Sequence, residues 1–575
     1  MAASPHRSFN LPTFSSMFTA LFAAPAPQTP AAGQGLPSGR PLRVVVLGGG
    51  FGGVYAAKRL TEEAAARRVA VEVHVVNREN YMAFQPMLPE VISGSVGVAD
   101  TVSPIRRVVP RAVLHMREVE SVDLAHNRVT CSPGYRPKSL ILEYDHLVIS
   151  LGSVTDFRGM TGMAEHARPV KTLGDALALR NHVIHILEEA DTEPEVEVRR
   201  KMLTFIVAGG GFSGVEVIAE LHEFVRRALG SYRRISTGDC RFILIHSGDI
   251  ILPEVDHELA QYAQSLLAKR GVEIMLNQRL KAAAADYAIL ADGTRIPTKT
   301  LVATVPSHPN PVVDALDLPK ERGRILVDPT MRVKERTNVW AVGDCALVPV
   351  AGWTETAPKY APPTAQHAIR EAALCADNIL AAAAGRELAA FEFAGLGSLA
   401  ALGRRRGIAQ FMNLKLSGLI AWSMWRTVYL MKLPGIDRKI RVGTAWFLNL
   451  FLPPDIVQLR VGKSSGVSQA HFEPGQNVFE EGDLGDRVYI IIKGTAEVVR
   501  STNGSGEQRL ATLGSGQYFG EMALLNRAPR NATVRCVEGL DLLSIEKGDF
   551  NALITHLGEM RESFERTATS RGRTQ

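Results

Sequence analysis

Five cysteines are scattered through 575 residues, and none stands near enough to another to form a CxxC or CxxxxC pair. That spacing excludes a disulfide scaffold, a CxxC zinc site and the dithiol couple of a thiol–disulfide reductase, and it fits a reducing compartment. Long apolar runs are missing too. No uncharged stretch reaches the roughly 18 apolar residues of a membrane-spanning helix. Neither a metal-ligand cluster nor an acid–base triad can be picked out by spacing, so side-chain chemistry of those kinds is not the first expectation. The net charge of +6 is modest, and its placement says more than its size. What remains is a chain too long for one hydrophobic core, with three or so domains as the expectation. Residues 1–40 are rich in Pro, Ala and Ser around the short apolar run Phe14–Ala24. They share a basic start and an "APA" with signal peptides, and read better as a disordered or loosely membrane-associated arm.

The strongest positive signal is a repeat. "RVVVLGGGFGGVYAAKRL" (43–60) is a β-branched strand, a glycine turn and a helix start, and "LTFIVAGGGFSGVEVIAEL" (203–221) restates it through the same Phe. Each contains GxGxxG: Gly48, Gly50 and Gly53, then Gly209, Gly211 and Gly214. The first glycine permits the tight turn, the second lets backbone approach a pyrophosphate, and the third allows close helix–strand packing. The helix N-terminus adds positive potential for the phosphates. One such turn is weak evidence; two near-identical copies behind strands indicate tandem dinucleotide binding.

A third element, "TNVWAVGDCA" (337–346), is a short apolar strand ending in Gly343–Asp344. It resembles the segment by which flavoproteins with two dinucleotide-binding domains hold the ribityl chain of FAD through the Asp carboxylate. The order of GxGxxG, "LVISLG" (147–152, ending at Gly152), second GxGxxG and "AVGD" is similar to that superfamily's. The resemblance implies an α/β fold of two Rossmann-like domains, with the NAD(P)H domain (166–324) inserted into an FAD domain (41–165 and 325–390). Two positions depart from the fingerprint. Where an acid normally ends the second strand and accepts from the adenosine ribose, the first domain has Asn77 and the second His246. Asn77 can still accept. His246 accepts weakly when neutral and favours a 2′-phosphate when protonated, so NADH and NADPH both stay open as donors.

The segments between the fingerprints narrow the family. "NRENYMAFQPMLPEV" (77–91) resembles the NxYxxFxPLLxEV segment of type II NADH dehydrogenases, the single-subunit NADH:quinone oxidoreductases, and "PPTAQHA" (362–368) resembles their PPTAQ segment. The likeness covers about residues 42–460. It implies Gln366 and Ala365 beside the isoalloxazine and the quinone, and Glu216 where nicotinamide and flavin meet. The chemistry it implies is hydride from NAD(P)H to FAD, then two electrons to a membrane quinone without proton pumping. The flavin does the hard step while the protein aligns and excludes water. A related enzyme passing electrons to another acceptor such as sulfide would need cysteines flanking the flavin, and Cys345 and Cys375 have no evident partner. A nucleotide-responsive signalling or scaffold flavoprotein with little turnover is the reading from another class, kept open by Asn77 and His246.

A quinone lives in lipid, so a membrane face is expected. Residues 400–441 hold nine Lys/Arg against the single acid Asp437, with Trp422, Trp425 and Tyr429 at helical spacing; Trp446, Phe447, Leu450 and Phe451 follow. Basic residues among aromatics on amphipathic segments suit an anionic membrane surface. A homodimer interface or packing against the FAD domain is the alternative reading. The family's C-terminal region, which "GLIAWSMW" (418–425) resembles, is its membrane anchor, and this implies a peripheral protein on the cytoplasmic face of the inner (plasma) membrane, with amphipathic helices in 391–461. Tyr429 stands where relatives carry His.

After "GKSSG" (462–466) the composition changes to short alternating strands punctuated by Gly475, Gly482, Gly485 and Gly494, the pattern of an all-β jelly-roll-type domain. Residues 467–560 resemble the cyclic-nucleotide-binding domain, most specifically in "FGEMALLNRAPRNATV" (519–534). The resemblance implies Gly520 and Glu521 at a ribose 2′-hydroxyl, Arg530 on a cyclic phosphate and Ala532 offering its N–H. A guanidinium fork suits phosphate and a carboxylate suits hydroxyls. Asn531 sits where a guanine-contacting Thr is found in relatives, which makes cyclic AMP the expected ligand over cyclic GMP. The 26 residues after Asp549 are too few for a DNA-binding helix-turn-helix, so nucleic acid is not an expected partner.

Overall fold

A computed structural model describes residues 40–134, 138–155, 157, 160–304, 307–350, 352–354, 357–393, 395–411, 414–459, 467–483, 485, 487–501, 507–525, 529–546 and 550. The N-terminal arm through residue 39, the linker 462–466 and the tail 561–575 lie outside them. The chain divides into two compact units, Met1–Ser132 with Ile141–Gln458, and Pro133–Leu140 with Leu459–Gln575.

The larger unit is built on two parallel sheets. The first begins with β1 (Leu42–Leu47), α1 (Phe51–Ala66), β2 (Val71–Asn77), α2 (Leu88–Ile92), β3 (Val113–Met116) and β4 (His146–Ile149). The chain then leaves to form a second sheet from β5 (Ala167–Pro169), β6 (Thr204–Ala208), β7 (Arg241–Ile245), β8 (Val272–Met275) and β9 (Thr300–Ala303), with α3 (Phe212–Ala228) after β6. It returns with β10 (Val339–Ala341), which pairs with β4 and completes the order β10-β4-β1-β2-β3. The second sheet runs β5-β9-β6-β7-β8. The return to β10 is what makes one dinucleotide-type domain an insertion in the other. β6 is buried along its length and β1 from Val44 to Leu47, as a sheet covered on both faces requires.

The two glycine turns explain why each strand runs straight into its helix. Gly48 and Gly209 have φ of +105° and +115°, the left-handed region closed to most side chains. A Cβ on Gly53 or Gly214 would collide with the carbonyl of Gly48 or Gly209, so the helix can start this close to the strand only without one.

Downstream come α4 (Ala365–Ala383), a three-stranded sheet of β11 (Ser398–Ala401), β12 (Gly407–Phe411) and β13 (Leu414–Ser417), then α5 (Gly418–Lys432) and α6 (Ile436–Leu448). No helix among the described residues is long and apolar enough to cross a membrane. The interfacial placement that the sequence pattern suggests for the aromatics of this region is corrected in part. Trp425 and Trp446 are buried and Tyr429 lines an internal cavity, while Leu419, Ile420, Ile436, Ile440, Phe447 and Phe451 take the exposed face. The reason is chemical: each buried indole N–H has a carboxylate partner inside, Glu216 for Trp425 and Glu90 for Trp446.

The smaller unit is an antiparallel roll of β14 (Val467–Phe472), β15 (Asn477–Phe479), β16 (Arg487–Ser501), β17 (Glu507–Leu513), β18 (Tyr518–Phe519) and β19 (Thr533–Glu546), with the short helix α7 (Glu521–Leu525). The four longer strands run β14-β19-β16-β17 around a core that includes Ile491, Leu513, Phe519, Val534 and Leu542.

Candidate dinucleotide, electron-transfer and cyclic-nucleotide sites

The acceptors at the strand ends face their glycine turns. Asn77 Oδ1 accepts from the N–H of Gly49 at 2.8 Å, and His246 Nδ1 accepts from the N–H of Gly210 at 3.2 Å. Each therefore does the turn-bracing half of the usual acid's work. With Nδ1 accepting, the neutral imidazole carries its hydrogen on Nε2 and presents a donor rather than an acceptor beyond the turn. At Gly50 a Cβ would meet no protein atom within 4 Å, and at Gly211 only Glu254 Oε1 at 3.3 Å. Space held open by glycine at the N-terminus of a long helix is the cradle that a pyrophosphate fills.

Around Asp344 the structure adds residues the sequence did not single out. Asp344 Oδ2 accepts from Ser153 Oγ at 3.0 Å and pairs with Lys171 Nζ at 3.4 Å. Gly343, at φ +73°, donates its N–H to Glu371, whose carboxyl is pushed up to about 7 chiefly by burial. Gly152 is likewise left-handed at φ +65°. Cys345 and Cys375 are both buried, with burial raising each thiol, so neither presents a thiolate.

One cavity of about 390 Å³ gathers side chains from several of the singled-out segments, Phe51 after the first turn, Phe212 and Glu216 after the second, and Ala365 and Gln366 at the start of α4, together with Lys171; Gly152, Gly343 and Asp344 are not in its lining. Gln366 uses both ends of its amide, donating to Gly397 O at 3.3 Å and accepting from Leu396 N at 3.2 Å, so it pins the strap that closes the cavity. Glu216 accepts from Ala401 N at 2.9 Å and Trp425 Nε1 at 3.1 Å. Despite those bonds, burial pushes its carboxyl up to about 8. Tyr429 lines the far side, its phenol also raised by burial. No cluster of metal ligands is present among the described residues.

In the roll, a second cavity of about 210 Å³ is lined by Val498, Leu510, Leu513 and Phe519 on one side and by Gly520, Glu521, Arg530 and Ala532 on the other. Arg530 is buried, donates to the carbonyls of Gly520 at 2.5 Å and Arg487 at 2.7 Å, and lies 4.1 Å over the Phe479 ring. Gly520 has φ +89°, and Glu521, buried, opens α7. All four of these cassette residues thus face one space, an apolar wall opposite a polar one.

Paired parallel sheets with glycine-held cradles, one domain inserted in the other and a shared cavity between their turns, define a pyridine-nucleotide oxidoreductase. Residues 42–372 match the model of the pyridine nucleotide-disulphide oxidoreductase family, 396–452 that of the NDH2 C-terminal domain, and 469–556 that of the cyclic nucleotide-binding domain. The chain is 30% identical over 425 residues to the type II NADH:quinone oxidoreductase NdhA of Mycobacterium tuberculosis, covering 70% of this chain and 86% of that protein. It is also 30% identical to a probable NADH dehydrogenase of Dictyostelium discoideum, over 72% of this chain and 90% of that one. Plasmodium falciparum NDH2, solved with NADH, shares the fold at a TM-score of 0.66 and 19% identity, over 73% of this chain and all of that one. The chain therefore belongs to the pyridine nucleotide-disulphide oxidoreductases and, among them, to the type II NADH dehydrogenases.

Proposed function

We propose that the protein is an FAD-dependent NAD(P)H:quinone oxidoreductase, peripheral to the cytoplasmic face of the inner (plasma) membrane, whose C-terminal domain binds cyclic AMP as a regulator. The observation that carries the reading is the single cavity shared by Phe51, Glu216, Ala365 and Gln366. FAD lies on Gly48, Gly50, Gly53, Asn77 and Gly152, with its ribityl chain toward Gly343 and Asp344. The nicotinamide dinucleotide lies on Gly209, Gly211, Gly214 and His246. When bound, FAD supplies two-electron chemistry between the nicotinamide and the quinone. The chain's own residues align and enclose. Gln366 holds the 396–397 strap over the cavity, the apolar lining excludes water, and Glu216 holds a proton at its carboxyl at neutral pH. The Nε2–H of His246 offers a donor where an acid would repel a 2′-phosphate, so NADPH is expected to serve beside NADH.

The test is a spectrophotometric assay of purified protein with NADH or NADPH and a short-chain quinone, with and without cyclic AMP. Yellow protein bleached by a nicotinamide donor within the mixing time and re-oxidised by quinone is the expected result. Slow bleaching by both donors would favour the signalling reading instead.

Membrane docking is carried by the outward apolar residues of α5, of α6 and of the turn after α6 that holds Phe451. Ile420, Ile436 and Phe451 are 68%, 73% and 73% exposed, which is unusual for large apolar side chains and forms a patch beside basic residues. Replacing Ile420, Ile436, Ile440, Phe447 and Phe451 together by Ser is expected to abolish co-sedimentation with anionic vesicles. Activity toward a water-soluble quinone should persist. Unchanged sedimentation of that variant would remove the docking assignment.

A further inference from the structure

Behind the main cavity lies a second polar system that none of the chemistry so far uses. On α3, Glu216 faces the main cavity and Glu220 follows one turn later, with Cβ atoms about 6 Å apart on the same face. Glu220 is also buried, yet it lines a different cavity of about 20 Å³, shared with Ser95, Glu223, Arg227 and Arg404. That volume holds about one water, and its lining supplies the several polar partners such a water needs. Ser93 joins the two ends. Its hydroxyl donates to the Glu220 carboxyl and lies 2.9 Å from Ser95 Oγ, a hydroxyl pair in which Ser95 can be the donor. Two hydroxyls and two carboxyls thus stand between the small cavity and the large one, with Ser95 and Glu220 both on the small cavity's lining and Glu216 on the large one's.

The charge balance along this route favours carboxyls that keep their protons. Glu90, also buried, takes Trp446 Nε1 at 2.8 Å and Arg426 Nη2 at 3.4 Å, and the Arg426 guanidinium lies between the Trp422 and Trp446 rings at 4.1 and 4.6 Å. Glu220 is faced by Glu90 and Ser93 from the α2 side, by Arg426 from α5, by Glu223 on its own helix, and across the small cavity by Arg227 and Arg404. Glu90 and Glu220 share the half-buried guanidinium of Arg426, no cation among the described residues is paired with Glu216, and leaving all three carboxyls ionised would cost several kcal/mol of uncompensated desolvation. Burial accordingly pushes Glu216 and Glu220 up to about 8, so both carry a transferable proton at neutral pH.

We propose that Glu220, with Ser93 and Ser95, relays protons from the small cavity to Glu216 and supplies the proton that quinone reduction draws from water. The inference rests on placing quinone reduction in the Glu216 cavity. The balance is NADH + H⁺ + quinone → NAD⁺ + quinol. The hydride of NADH brings two electrons and one of the quinol's two protons. The other proton leaves the Glu216 carboxyl, which is refilled from Glu220; Glu220 is refilled through Ser93 and Ser95 from water. No oxidant or reductant beyond these two substrates is needed. Glu220 touches neither substrate and acts through Glu216.

The experiment compares the wild type, Glu220→Gln and Ser93→Ala as full-length holoprotein. Bleaching by NADH without quinone takes only hydride and is expected to stay within about twofold in both variants. Re-oxidation by a short-chain quinone is expected to slow about tenfold or more in Glu220→Gln, within the usual range for a lost proton-transfer group. Its solvent deuterium effect should grow, and the wild-type fall in rate as pH passes about 8 should flatten. Infrared spectra of the resting wild type, with no donor or acceptor added, should show protonated-carboxyl absorption that shifts in deuterated water and titrates near that pH, and Glu220→Gln should lose the Glu220 share of it while that of Glu216 stays. Ser93→Ala keeps every carboxyl and should slow re-oxidation alone, which covers the case of a Glu220 variant that does not fold. Equal slowing of both half-reactions, no slowing of either, or a missing carboxyl band would overturn the relay. A wild type that no quinone re-oxidises would instead sink the functional reading, and the infrared result would still decide on the buried proton.

Discussion

Gly50→Val is expected to give a folded, colourless protein, and Gly211→Val a folded, yellow protein that NADH no longer bleaches. The two glycines differ from their neighbours in what surrounds them. At Gly48, Gly53 and Gly214 a Cβ strikes backbone, so substitution there disturbs the fold itself. At Gly50 it enters empty space and at Gly211 it meets one flexible carboxylate, and neither residue has a positive φ. A valine is therefore compatible with the protein and incompatible with a pyrophosphate seated against the helix N-terminus. Charge-assisted hydrogen bonds to phosphate are worth about 1.5–3 kcal/mol each, so losing two costs about a hundredfold in affinity or more. Flavin absorbance after gel filtration, circular dichroism and rapid-mixing bleaching separate the outcomes. A Gly50→Val protein that stays yellow would show that the first turn is not the flavin cradle.

The second large effect lies in the roll. Arg530→Ala is expected to weaken cyclic AMP binding by about a hundredfold or more, because a bidentate guanidinium–phosphate pair is lost in a largely buried pocket. Arg530→Lys should be intermediate: an ammonium keeps the charge and loses the fork. The same arginine braces the Gly520 and Arg487 carbonyls and stacks on Phe479, so the alanine variant also leaves those groups short of a partner. Calorimetry with cyclic AMP and with cyclic GMP on the whole chain separates lost affinity from lost folding when read beside the melting curve. In the quinone assay the variant should lose any response to nucleotide while its basal rate stays that of the wild type. Binding of wild-type strength in Arg530→Ala would remove the phosphate assignment.

The parts of this molecule that were legible in the sequence are those fixed by local geometry. A strand, a left-handed turn and a helix start within seven residues admit almost only glycine at set positions, so Gly48 to Gly53 and Gly209 to Gly214 announce themselves without tertiary information. Gln366 and Glu216 were named from short motifs, and the structure places both on one cavity although 150 residues separate them. What escaped is set by distant packing. Glu220 and Glu223 belong to no motif, and the burial of Glu220 is set by residues far away in sequence, among them Glu90, Ser93 and Arg426. Trp425 and Trp446 look interfacial because an indole suits both a membrane surface and a buried hydrogen bond, and Glu216 and Glu90, far away in sequence, decide between them. Lys171 and Ser153 carry no motif at all and become visible through their contact with Asp344.

The two indole bonds have an engineering corollary. Trp425 and Trp446 tie α5 and α6 to carboxylates of the catalytic body, and Val428 and Tyr429 of α5 form part of the cavity's lining. The region proposed to dock on lipid is thus also a wall of the cavity. Cutting the chain before residue 414 to obtain a detergent-free enzyme would breach that cavity and deprive the carboxyls of Glu216 and Glu90 of their indole donors. Solubilising the protein calls for repainting the outer side of those helices, residue by residue, with their inner side left alone.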